Sequence, residues 1–522
     1  MWRLMPPPRP SLQRRGTGAQ NEALDVVNEA LNTSMDGTLN KSITGTIDTA
    51  IVLASSGVFD LGGSDDKPVA GALVRVGGMT LFQRTLFTLQ HAGISQILTL
   101  VGQEEQSLRA LIDGDARLHA MIRWLPVREF PPLDPQTWET LANEVKGSCL
   151  ILGCHMVFAP SLIQLLREVG REGQAVVAVG RPGEAGWSGN PGVVMRADPH
   201  TGGHIPRVVF WDRQSDRPAE FDEDQGLARA ADLVVLPARL LGISGSWSTP
   251  ETSPIRLALE QAAAEGVVQT LSASSHAYQD ARGVEGLQKA EHTLFRSLQS
   301  VDGTLDGVVD RYVNRKVSRP LSRLFMQLRC PPNVITLLSM IIGLGGAACF
   351  AKGSYAGGIA GALLFQLAVI IDCCDGEVAR LTFTESPLGQ ALDLVSDNIV
   401  HVAVFAGIAW GAYQENLTSS GYLPLLLGGI AVFSTGVSLW CVDRVKSLKG
   451  NTVRWRLMRQ ADRTRFDFIL RHVANRDFSI VVLVCACLGV LPWFLWLVAA
   501  GTSVFAAMMA WSLYRASCVH QS

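Results

Sequence analysis

The stretch Asp372–Asp397, DCCDGEVARLTFTESPLGQALDLVSD, decides the architecture of this chain. It carries carboxylates at Asp372, Asp375, Asp393 and Asp397 and lies between apolar stretches of membrane-spanning character. Ionisable side chains at membrane depth are expensive, so a cluster of them needs a cationic partner or a reaction to explain it. Asp372, Asp375, Gly376, Ala379 and Arg380 fall at i, i+3, i+4, i+7 and i+8, which is one face of a helix. Gly389, Asp393 and Asp397 recur every four residues on a second helix, and Pro387 marks the break between the two. Antiparallel packing lets the first and second pairs of aspartates face each other across a small gap.

Such a gap suits a divalent metal. The ligands are hard oxygens with no adjacent His and no Cys pair at zinc spacing, which points to Mg²⁺ or Mn²⁺ rather than Zn²⁺. A pair of such ions grips a pyrophosphate and stabilises charge on a leaving phosphate, while one carboxylate remains to act as a base. The small residues Gly376, Ala379 and Gly389 permit close approach of a phosphorylated ligand to the backbone.

The spacing D-x2-D-G-x2-A-R-x8-G-x3-D-x3-D resembles the signature of the CDP-alcohol phosphotransferases. These membrane enzymes move a phospho-alcohol from a CDP-activated donor to an acceptor hydroxyl and release CMP. The resemblance implies that Asp372, Asp375 and Asp393 are metal ligands, and that Asp397 deprotonates the acceptor and touches a second metal. It implies that Gly376, Ala379, Arg380 and Gly389 shape the nucleotide pocket. Upstream, PPNVITLLS is similar to the family's segment before its first helix, which assigns Asn333 and Thr336 to nucleotide contact. Direct in-line displacement is expected rather than a phospho-enzyme, because no suitably placed Ser, Cys or His accompanies the carboxylates; Cys374 is the nearest thiol.

Working outward, the composition of this 522-residue chain changes sharply near residue 330. Apolar stretches near 333–351, 355–374, 388–413, 421–441, 478–491 and 493–514 predict an all-α six-helix transmembrane domain over 333–516. The connection 442–477 is strongly basic, from Arg444 to Arg476, which by the positive-inside rule makes it cytoplasmic. Counting back through the spans puts the aspartate motif and the N-terminal region on the cytoplasmic side of the inner membrane. The basic loop has two readings: topology with attraction to anionic lipid, or, with Arg476 foremost, recognition of an acceptor phosphate. In the linker 299–332, SRPLSRLFMQLR places Leu321, Leu324, Phe325 and Leu328 on one stripe away from Arg319, Arg323 and Arg329, which predicts an interfacial helix.

Residues 1–47 are polar and Gly/Ser/Thr-rich without a long apolar core, and read as disordered, with no signal sequence. The ten cysteines are scattered, which suggests neither a disulfide framework nor a zinc site. Residues 48–298 read as a soluble α/β domain with a largely parallel sheet: DTAIVLASSG, ISQILTLVG and GSCLILGCHMVF as strands, MTLFQRTLFTLQHAG as a helix, and NPGVVMRADPHTGGHIPRVVFW as a hairpin.

This order resembles the Rossmann-like sugar-nucleotidyltransferase fold, with departures. The phosphate loop is SSGVFDLGGSDD, the Val76-Gly77-Gly78 element is present, the family's lysine position falls at Gly71, and Lys67-Pro68 is displaced from it. The family's metal-binding Asp appears as Cys154, while Asp280 stands at the second metal position. Loss of a metal ligand and of the phosphate-loop cation removes the main electrostatic stabilisation of nucleotidyl transfer.

The whole arrangement is similar to the bifunctional inositol-1-phosphate cytidylyltransferase and di-myo-inositol phosphate phosphate synthases. Three readings stay open: a CDP-alcohol phosphotransferase with a degenerate front domain, a fully bifunctional enzyme that also makes CDP-inositol, and an ion-binding or transport protein. The partners implied are a CDP-alcohol donor, a hydroxyl acceptor such as inositol phosphate, and the lipid bilayer; Gly- and Ala-rich helix faces permit a homodimer. A net charge of −2 makes no case for nucleic acid.

Overall fold

The computed structural model describes residues 47–54, 58, 59, 69–170, 174–180, 193–197, 206–210, 228–242, 258, 259, 261, 262, 265, 267–272, 277–302, 314–415, 421–450 and 478–518. The segment 1–46, the phosphate loop with Lys67-Pro68, most of the basic connection and Arg476 lie outside the described residues.

The front half is an α/β domain. Its sheet begins with four parallel strands in the order β4-β1-β2-β3: β1 (Thr49–Leu53), β2 (Gln96–Val101), β3 (Met121–Pro126) and β4 (Ser148–Gly153). The near-continuous apolar runs of β1, β2 and β4 suit strands covered on both faces, while the edge strand β3 is half-exposed. Ile51, Leu98 and Ile151 face one buried cluster, while Ala50, Ile97 and Leu150 face the other. Beyond β4, across the short β5 (Met156–Phe158), the expected parallel order changes. After β6 (Ala175–Gly180), the hairpin of β7 (Val193–Ala197) and β8 (Pro206–Phe210) joins β9 (Ala228–Pro237), which runs antiparallel to β4, so the sheet is mixed.

Helix α1 (Leu81–His91) starts at a capping box in which Thr80 and Gln83 satisfy each other's backbone N–H groups. Helices α2 (Glu105–Ile112), α3 (Pro135–Glu144), α4 (Pro160–Val169) and α5 (Ala238–Leu241) complete the layers, and α6 (Gly283–Asp302) follows the short strand Tyr278–Asp280.

The second half is helical: α7 (Arg315–Gln327), α8 (Pro332–Phe350), α9 (Tyr355–Leu381), α10 (Pro387–Glu415), α11 (Leu423–Gly450), α12 (Phe478–Cys487) and α13 (Leu491–Cys518). Among the described residues five helices are long and apolar enough to cross a membrane, in α8, α9, α10, α11 and α13, and the 10-residue α12 is a shorter apolar helix. The expected fifth span is thus shorter than read. It ends in a Schellman turn, with Val490 N–H on Cys485 O at 2.9 Å, Gly489 N–H on Ala486 O at 3.1 Å, and Gly489 at φ +70°. The chain is an integral membrane protein.

Close helix approach depends on small residues. A Cβ on Gly361 would meet Gly346 O at 2.9 Å, and one on Gly343 would meet Val400 Cγ1 at 2.6 Å. The two halves also share a core, in which Val74, Val76, Leu81, Leu294 and Phe295 pack with Met326, Ile335, Ile371, Val378 and Leu381. The front domain is therefore seated on the helices rather than merely linked to them.

Candidate active site

Asp372 lies on α9, and Asp393 and Asp397 on α10. One carboxylate oxygen from each lies within 4.8 Å of the others, with Asp372 buried and the other two half-buried. Among the described residues this is the one group of three acidic, His or Cys side chains close enough to share a metal ion. Three hard anionic oxygens converging at a partly buried point fit a divalent ion of the Mg²⁺ or Mn²⁺ type. Ser339 of α8 donates to Asp372 Oδ1 at 3.4 Å.

Asp375, read from the sequence with the metal ligands, is one turn further along α9 and outside that triplet. It is buried and accepts a hydrogen bond from the Thr336 hydroxyl. Thr336, assigned to nucleotide contact by the resemblance, has its hydroxyl on this carboxylate. Asn333 stands where α8 meets the start of α10, since a Cβ on Gly389 would lie 3.2 Å from Asn333 Oδ1 and 3.1 Å from Ser386 Oγ. Gly376 is bare on the face of α9 where Arg380 folds back, with the Arg380 Nη2 position 3.3 Å from an added Cβ. Ala379 sits on the same helix, half-buried. Cys374 is buried, with its thiol 3.5 Å from Ser318 O, in a packing role.

Two groups escaped the sequence reading. Glu377, inside the signature, is 2 % exposed and is bonded by Arg315 Nη1 at 3.0 Å, Ser318 Oγ at 2.9 Å and Ser322 Oγ at 2.7 Å. The apolar stripe of α7 is the feature that stands out in the sequence. Beside it Arg315, Ser318 and Ser322, at i, i+3 and i+7, form a polar stripe that packs on α9 while Leu324 and Leu328 stay exposed. His401, four residues past Asp397, continues the series Gly389, Asp393, Asp397. It lines a cavity with Asp372, Asp397, Ser339, Ser396, Phe365 and Phe478. Its ring lies 5.1 Å from that of Phe478.

In the front domain, Asp280 is engaged by Arg282, through Nε at 2.8 Å and the backbone N–H at 2.9 Å. Cys154 is fully buried, and burial pushes its thiol pKa up to about 12, so it is no substitute for an anionic ligand.

A partly buried carboxylate triplet on paired helices of membrane-spanning length suits divalent-metal chemistry on phosphate esters. Residues 329–458 match the CDP-alcohol phosphatidyltransferase family model, so the helical half is similar to that family over the segment that carries the aspartates. Over 371 residues the chain is 27% identical to the bifunctional IPC transferase and DIPP synthase of Rubrobacter xylanophilus, covering 70% of this chain and 78% of that protein. Over 167 residues it is 27% identical to the archaetidylinositol phosphate synthase of Aeropyrum pernix, covering 31% of this chain and 77% of that protein. Among solved structures, the inositol-1-phosphate CTP transferase from T. maritima aligns with 48% of this chain and 98% of its own, at 14% identity and a TM-score of 0.37.

Proposed function

We propose that this enzyme transfers a phosphoinositol or closely similar phospho-polyol group from its CDP-linked donor to an acceptor hydroxyl, at the site of Asp372, Asp375, Asp393 and Asp397. The observation that carries this reading is the convergence of Asp372, Asp393 and Asp397 within 4.8 Å. The name of the Aeropyrum pernix relative, archaetidylinositol phosphate synthase, supports the polyol.

Asp372, Asp393 and Asp397 would hold divalent metal, Mg²⁺ or Mn²⁺ as one ion or two, which when bound neutralises the donor pyrophosphate. Asp397 accepts the proton of the acceptor hydroxyl. The acceptor oxygen forms its bond to the phosphorus that bears the alcohol, and the bond from that phosphorus to the bridging oxygen breaks, so that CMP leaves with the bridging oxygen. Asp375, held by Thr336, keeps the wall of the site anionic and fixed in one rotamer. Gly376, Ala379 and Gly389 leave room for the nucleotide, with Arg380 and Asn333 at its edge. Arg476 is our choice for the acceptor phosphate. The functional division is 48–298 for the front domain, 299–332 for the linker and 333–516 for the transferase, with the site facing the cytoplasm.

The front domain is proposed as non-catalytic, on the Asp280–Arg282 pairing and the buried Cys154. Full-length protein supplied with CTP, Mg²⁺ and inositol 1-phosphate is expected to release no pyrophosphate, while it releases CMP when given CDP-inositol and inositol phosphate. Pyrophosphate release at a rate comparable to CMP release would restore the bifunctional reading.

A further inference from the structure

Helix α9 ends in an unusual cap. Thr384 N–H bonds to Ala379 O at 2.9 Å and Phe383 N–H points to Arg380 O at 3.5 Å, the two bonds of a Schellman motif. Its left-handed position is normally glycine, yet here it is Phe383, at φ +53°. A non-glycine side chain in that region is strained and persists when its surroundings hold it.

The surroundings are the front domain. The Phe383 ring stacks on Phe87 of α1, with centroids 5.7 Å apart and planes at 20°, and lies 5.0 Å from the His91 ring. Arg84 of α1, 3 % exposed, sets Nη2 at 2.9 Å from Leu381 O, 3.0 Å from Val76 O and 2.9 Å from Gly77 O. Arg117, on the loop after α2, donates from Nη1 to Thr382 O at 3.0 Å, and Asp115 holds it through Nε at 2.8 Å and Nη2 at 2.6 Å. The last carbonyls of a helix are its unsatisfied, negatively polarised end, and two guanidinium groups from another domain meet them here.

That turn, 382–386, is the sole covalent link between Asp372 and Asp375 on α9 and Asp393 and Asp397 on α10. We propose that the front domain is a positioning element for the transferase, and that Arg84, Arg117 and Phe383 set the separation of the aspartate-bearing helices. This rests on the aspartates being the reactive site, as argued above. It also gives the Val76-Gly77 element a use without nucleotide chemistry, since its carbonyls orient Arg84 toward Leu381. A misplacement of about 1 Å at a catalytic group costs on the order of a hundredfold in rate.

The test uses full-length protein in lipid nanodiscs, with Arg117→Ala and Phe383→Gly. Glycine accepts the left-handed backbone, so Phe383→Gly preserves the helix cap and removes only the ring contact with the front domain; it keeps the test decisive if Arg117→Ala fails to fold. Arg109→Ala, on the exposed face of α2, is the control. Three quantities are read: kcat and KM for CMP release, Mn²⁺ affinity by electron paramagnetic resonance titration, and Tm. The expected result is a fall in kcat of about tenfold or more with donor KM little changed, and weaker Mn²⁺ binding, in both variants but not in the control. Unchanged kcat and Mn²⁺ affinity in Phe383→Gly would overturn the proposal. Failure of the wild-type protein to release CMP would instead sink the reaction assigned above, and the Mn²⁺ titration would still decide the positioning.

Discussion

Arg315 and Glu377 form a buried ion pair between α7 and α9, Nη1 to Oε1 at 3.0 Å, with side chains 10% and 2% exposed. Ser318 and Ser322 complete the carboxylate's hydrogen bonds. The pair lies two residues from Asp375, so the helix entering the membrane domain is tied to the helix that carries half of the site.

Removing one partner of a buried pair strands the other charge. Glu377→Ala is therefore expected to destabilise the protein by about 3–5 kcal/mol, whereas Arg315→Met with Glu377→Leu restores most of it. Thermal unfolding of the two variants in detergent checks this; equal Tm losses would mean that the pair itself, not the stranded arginine, carries the effect.

Thr336→Val leaves the buried Asp375 without its hydroxyl donor. A lost hydrogen bond to a buried group costs roughly 1–3 kcal/mol. The expected outcome is a loss of CMP-release activity larger than that of Ser339→Ala, whose bond to Asp372 is long at 3.4 Å. Steady-state kinetics on the pair of variants decides between this role and direct nucleotide contact, which would raise donor KM alone.

The seams between α8 and its neighbours leave no room for side chains. Gly361→Val and Gly343→Val are each expected to cost about 1–3 kcal/mol through overpacking against Gly346 O and Val400. Gly345→Val, where an added Cβ meets nothing within 4 Å, is the control for the same helix. Tm values in one detergent compare the three.

Much of this was legible in the sequence because its signals are local. The i, i+3, i+4 series placed the aspartates on two helix faces, and Pro387 marked the break at which α10 begins. Apolar length placed α8 to α11 and α13, while α12 was read too long because hydropathy does not register a Gly-turn followed by Pro492. Antiparallel entry of β9 beside β4 is a pairing between strands distant in sequence, which periodicity alone does not carry. The long-range contacts were not legible for the same reason. Nothing local to Glu377 announces Arg315, and nothing local to Phe383 announces Phe87, which is 296 positions earlier.

The dock has a pH dependence with a definite sign. Arg117 hydrogen-bonds to Asp115 and holds its carboxyl below the usual carboxylate range. A depressed folded-state pKa contributes stability above the unfolded value, near 4, that is lost as pH falls through the folded value. Protonating Asp115 frees Arg117 from its orientation toward Thr382 O, so Asp115→Asn at neutral pH should reproduce the acid effect. Amide exchange of the 382–386 turn, compared between wild type at neutral and acid pH and the variant at neutral pH, reads it directly; a turn equally protected in all three would refute the link.

We propose Asp372, Asp393 and Asp397 as the catalytic site of a CDP-polyol transferase. This is tested most directly by CMP release from purified full-length protein, with Mg²⁺, CDP-inositol and inositol phosphate, before and after chelation and in Asp397→Asn. The expected result is release that chelation abolishes and Mg²⁺ restores, with kcat in the variant lower by about 10²–10⁴. Release that persists in Asp397→Asn, or none from CDP-inositol alongside rapid release from CDP-diacylglycerol, would contradict it.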